Sequence, residues 1–127
     1  MNVLIEAYKI DLNEEQTIQV FKQIRYILSL IYDKNDLSIS LDMKNLHLTD
    51  KIVKELKKII NILIIMIQEQ KLKSVNLLNS EESEILKNTI EYSGISNRFH
   101  LNIEDSNGYD EIYKLDWRYQ YIVERIN

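Results

Sequence analysis

The chain has no cysteine and no proline, and its only glycines are Gly94 and Gly108. Without cysteine there is no disulfide and no thiolate metal site, which fits a reducing, cytoplasmic setting. Two glycines leave few positions where the backbone takes positive φ without strain, so a glycine-rich phosphate cradle is excluded. Histidine is almost as scarce. His47 and His100 fall in different units of the chain, and neither belongs to an H-x-x-x-H or H-E-x-x-H pattern. There is no G-x-S-x-G elbow for a nucleophilic serine. A long hydrophobic run is missing too. The most apolar stretch, "IINILIIMI" at 59–67, falls far short of the ~20 residues that span a bilayer and reads as a buried helix. The N-terminus lacks the basic region and small-residue cleavage site of a secretory signal. An excess of positive charge is also absent: the net charge is −4, whereas a general nucleic-acid binder is more often basic. These absences predict no membrane insertion, no nucleic-acid partner, no metal and no cofactor.

What is present is a core-forming composition. Hydrophobic residues make up 45% of 127 residues, which suits one compact domain over 1–127 and argues against disorder. "NVLIEAYKIDL" alternates and is rich in β-branched residues, so it reads as a first strand. Asn13, with Gln16 three residues later, has the form of a capping box. The helix it opens carries Ile18, Phe21, Ile24, Leu28 and Ile31 at helical spacing and stops near "DKND". "LSISLDM" is a second strand, with Leu37, Ile39, Leu41 and Met43 on one side and Ser38, Ser40 and Asp42 on the other. After the polar turn "HLTDK" the longest helix runs to about Gln70. Ile52, Leu56, Ile59, Ile60, Leu63 and Ile67 form its buried stripe, and Lys51, Lys54 and Lys58 share another face.

"LKSVNLL" reads as a third strand. Asn79 caps a further helix, with Glu81 and Glu82 in its first turn and Gly94 at its end. "RFHLNIE" is a fourth strand and "DSNG" a turn. A last helix is expected over about 109–126, with Ile112, Leu115, Tyr119, Ile122 and Ile126 on one stripe. The expectation is therefore an α/β fold: one domain of four βα units, a mainly parallel four-stranded sheet, and packed helices joined by right-handed crossovers.

Signals for catalysis are sparse. Asp42 and Asp50 flank the polar turn, and Glu104 and Asp105 end the fourth strand, but nothing in their spacing selects an acid–base pair. The protein is expected not to be an enzyme. The aromatic run "YKLDWRYQY" at 113–121 reads as core or interface packing. Trp117 falls off the expected helical stripe, which hints at a partner-binding surface.

From residue 3 to about residue 103 the chain resembles the STAS domains of bacterial anti-sigma-factor antagonists. The residues that carry the likeness are "VLIEAYKIDLNEEQTIQVFKQI", then "LSISLDMKNLHLTDKIVKELKKI", then "KLKSVNLLNSEESEILKNTIEYSGISNRFHL", with Leu86, Gly94, Ile95 and Phe99 the most telling pattern. The resemblance implies a regulator that docks on a protein partner, such as a kinase-like anti-sigma factor, through the N-terminus of the helix after the second strand. In that family a serine follows the aspartate of this turn and is phosphorylated by the partner. Here Asp50 matches the aspartate, but Lys51 stands at the serine position, so the usual switch cannot operate there. Thr49 is the one hydroxyl left in the turn and the only candidate for modification within it, besides being a good N-cap. The implied partner surface comprises Asn13, Glu14 and Glu15 together with Thr49, Asp50, Lys51 and Lys54, because both segments follow strands of a parallel sheet. The alternatives are a STAS-like adaptor of a nucleotide cyclase or transport complex, and a small immunity or antitoxin-type protein that neutralises a basic toxin.

Overall fold

In the computed structural model the described residues are 1–7, 11–42, 49–78, 99–102, 108–116, 118 and 122–125. They form β1 (Asn2–Ala7), α1 (Glu14–Ile31), β2 (Leu37–Asp42), α2 (Asp50–Gln68), β3 (Leu72–Leu78), β4 (Phe99–Asn102), β5 (Glu111–Leu115) and β6 (Ile122–Arg125). All six strands join one sheet in the order β4-β3-β2-β1-β5-β6. The first four are successive neighbours, each parallel to the next, as the alternation of strand and helix periods predicts. β5 pairs with the free side of β1, also parallel, and β6 closes the row antiparallel to β5.

Successive strands that step in one direction through right-handed crossovers must carry their helices on one face. α1 and α2 accordingly lie side by side over the same surface. Strand alternation divides the residues. Val3, Ile5, Ile39, Leu41, Val75, Leu77, Tyr113 and Leu115 point into the helical layer and join one core with Val20, Phe21, Ile24, Leu28, Ile52, Leu56, Ile59 and Leu63. Each such side chain, fully buried, contributes ~1.5–3 kcal/mol of burial energy. The stripe expected on α2 is buried as far as Leu63. At the end of the helix Met66 is buried, while Ile67 is only partly so. Ser40, expected on the polar side, is 3% exposed; its Oγ accepts a hydrogen bond from Asn76 Nδ2 on the face away from the helices.

The C-terminal segment corrects the sequence reading. No helix runs over 109–126; Glu111–Leu115 and Ile122–Arg125 are strands. Burial along β5 alternates, with Glu111, Tyr113 and Leu115 buried and Ile112 and Lys114 half-buried. The three-residue step from Ile112 to Leu115 fits a helical stripe, but the period of two decides. Tyr, Ile and Val favour a pleated, half-buried surface. A strand pair thus stands in place of the helix expected in the fourth βα unit, and it widens the sheet beyond its four-stranded core. The connection into β5 passes through Gly108 at φ +105, a conformation only glycine adopts cheaply. Asn2 and Asp110 then exchange hydrogen bonds and fix the register of β5 on β1. The helix expected after Asn79 lies outside the described residues, as do His47, Trp117, Glu104 and Asp105.

Scarcity of glycine has a local consequence. Asp11, Asp36 and Gln70 occupy left-handed conformations that glycine more often fills. Gln70 sits just past α2, where Lys71 N donates to Met66 O and Gln70 N to Ile67 O, closing the orphan carbonyls of the last turn. The same end is clamped to α1. Tyr32 donates its hydroxyl to Glu69, and Lys71 Nζ donates to Tyr32 O while lying 4.4 Å from its ring centroid. The Glu69 carboxylate accepting that proton pushes the Tyr32 phenol above its ordinary range.

Candidate functional site

Parallel strands followed by helices put every such helix N-terminus at the carboxyl edge of the sheet. β1 ends at Ala7 and α1 begins at Glu14; β2 ends at Asp42 and α2 begins at Asp50. The two helix starts are therefore neighbours, and their caps are built from the residues the sequence singles out.

Asn13 holds extended backbone at φ −74, ψ 177 and caps α1. Its Oδ1 accepts from Gln16 N at 2.8 Å, and its own N–H donates to Gln16 Oε1 at 3.1 Å, completing the capping box. Thr17 adds a hydroxyl bond to Asn13 O at 2.8 Å. Thr49 caps α2 in the same extended conformation, φ −88 and ψ 166. Its Oγ1 accepts from Ile52 N at 3.3 Å. The same hydroxyl donates to Glu14 Oε2 at 2.5 Å, so the first turn of α1 is tied to the cap of α2.

The structure thus brings all seven expected residues to one edge. Asn13, Glu14, Glu15, Thr49, Asp50, Lys51 and Lys54 are each exposed. Glu14, Glu15 and Asp50 suit the positive ends of their helices. Lys51 and Lys54 do not, and among the described residues no carboxylate lies within 4.0 Å of either ammonium. The Thr49 hydroxyl is already used twice. A phosphate on it would end its donation to Glu14 and set a dianion beside that carboxylate.

One arrangement is not legible from spacing. Lys114, Glu6 and Asp42 fall in one register row at the carboxyl ends of β5, β1 and β2, on the face away from the helices. Asp42 was expected only as a flank of the turn. Each of the three is engaged by another group. Among the described residues no three His, Asp or Glu side chains converge as metal ligands. No described helix is long and apolar enough to cross a membrane. No family model, curated protein or solved structure matches the chain.

Proposed function

We propose that this chain is a non-enzymatic regulator that binds another protein through the joined N-termini of α1 and α2, in the manner its resemblance to STAS antagonists implies. The observation that carries the reading is the Thr49–Glu14 hydrogen bond. It makes one continuous, exposed surface out of two segments that are 35 residues apart in the chain. Both caps are closed by side chains, so the surface is preorganised and a partner meets fixed backbone rather than a fraying turn. Lys51 replaces the phosphorylatable serine of the resembled family, so contact at this edge is constitutive with respect to that switch. A kinase-like anti-sigma factor is the partner class the resemblance implies.

The test is calorimetric titration of the protein with its partner, purified from the source cells. Lys51 suits an acidic patch on the partner, so Lys51→Glu should weaken binding clearly, because like charges at a rim oppose docking. The free protein should be unchanged or slightly more stable, since a glutamate near a helix N-terminus suits the macrodipole. The control is Lys73→Glu on β3, where Lys73 is exposed and its ammonium lies 3.6 Å from Asp36, far from both helix starts. If Lys51→Glu binds like the parent while Trp117→Ala abolishes binding, the functional surface is the C-terminal segment instead.

A further inference from the structure

Charge along α2 runs against its macrodipole. Lys51, Lys54, Lys57 and Lys58 all fall in its N-terminal half, and its last turn holds no basic residue. Lysines near a helix N-terminus oppose the dipole, and like charges three or four positions apart repel. For Lys51 and Lys54, in and next to the first turn, helix stability does not explain this placement. Residues that break a local rule without local gain are expected at functional surfaces.

Lys54 and Lys58 lie four positions apart and are both exposed on α2, and α1 adds two more cations near Lys58. Glu55, with a side chain 17% exposed, accepts from Lys58 Nζ at 3.0 Å and faces Arg25 Nη2 at 3.7 Å. The Lys58 hydrogen bond is the main reason its carboxyl is held below the ordinary range, and the charges of Arg25 and Lys22 add to it. One carboxylate therefore faces three cations. Among the described residues no other carboxylate comes within 4.0 Å of Lys22, Arg25, Lys54 or Lys58. A chain of net charge −4 thus carries a local excess of positive charge on its helical layer.

We infer that this outer helical face, Lys58 of α2 with Lys22 and Arg25 of α1 around Glu55, and Lys54 one turn before Lys58, docks an acidic segment of a partner protein. The inference rests on the protein-binding reading and names the partner's chemistry. Charge complementarity selects an anion. Glu14, Glu15 and Asp50 bound the face at the helix starts, so a nucleic-acid strand running on past the lysines would meet carboxylates. A short segment presenting two or three carboxylates fits between those limits. Glu55 acts as an internal competitor, holding the cations in place while weakening their attraction for the incoming segment.

The test uses the whole protein and a fluorescent helical peptide bearing three glutamates on one face, followed by anisotropy at low and physiological salt. The matched glutamine peptide, a DNA duplex and phosphatidylserine vesicles are run beside it. The glutamate peptide should bind best, and more weakly at higher salt. Lys22→Gln with Lys58→Gln should weaken it about five- to tenfold, while Lys73→Gln leaves it unchanged. Glu55→Gln should tighten it severalfold, an outcome that a purely structural role for Glu55 does not produce. Equal binding of the parent and the double variant, weaker binding after Glu55→Gln, or stronger binding of duplex or vesicles than of peptide overturns the inference. The edge reading fails separately. If Lys51→Glu disrupts the native complex but the double variant leaves the peptide untouched, the edge stands and this face does not.

Discussion

Replacing Thr49 by alanine removes two interactions with one change. The hydroxyl caps α2 by accepting from Ile52 N, and it donates to Glu14 across the helix pair. Loss of a threonine N-cap costs about 1 kcal/mol, within a range of ~0.5–2. The bond to Glu14 is exposed to water, so its net contribution is smaller, on the order of 0.5 kcal/mol. The expected destabilisation is therefore about 1–2 kcal/mol. Unfolding entropy near ~2.1 cal/mol/K per residue, scaled to 127 residues, converts that to a melting shift of about 4–8 °C. Urea unfolding followed by far-UV circular dichroism measures the free energy, and a thermal scan the shift. Thr49→Ser keeps both oxygen roles and should lie within about 0.5 kcal/mol of the parent. A double-mutant cycle of Thr49→Ala with Glu14→Gln isolates the link and should return a non-zero coupling of ~0.3–1 kcal/mol. The reasoning is refuted if the alanine variant is as stable as the parent, or if the cycle is strictly additive.

Two further outcomes follow from the packing and the charges. Leu63 is fully buried on the core side of α2, so Leu63→Ala should cost about 2–5 kcal/mol in urea unfolding, whereas Ile65→Ala, at a position 48% exposed, should stay within about 0.5 kcal/mol. Equal effects at the two sites would contradict the orientation of the helix. Glu55 titrates below its ordinary range when folded, so its contribution is fully present above the usual glutamate range and is lost as the pH falls through the folded value. The stability difference between the parent and Glu55→Gln should therefore shrink under acid; a difference that is the same at neutral and acid pH would contradict the ion cluster.

The parts of the fold that were legible are those fixed by local rules. Asn13 with Gln16 announced a capping box, and both side chains make it. Thr49 announced the start of α2 and caps it. The bounds of β3 coincide with "LKSVNLL". The C-terminal segment failed because Ile112, Leu115, Tyr119 and Ile122 satisfy a helical period by accident. The alternation of Glu111, Tyr113 and Leu115 shows only once β1 supplies the neighbouring strand. The site followed the same division. That 13–15 and 49–54 share an edge follows from parallel topology. The particular bond from Thr49 to Glu14, and the gathering of Lys22, Arg25 and Lys58 on Glu55, depend on the packing of α1 against α2, which no spacing within one segment encodes.

The central claim is that a protein partner docks where α1 and α2 begin. Amide hydrogen exchange of the free protein against its purified complex tests it most directly, because it reads every segment in one experiment. The account predicts new protection concentrated at 13–17 and 49–55, with β5 and β6 unchanged. Protection confined to 108–125, with both helix starts exchanging as in the free protein, would contradict it.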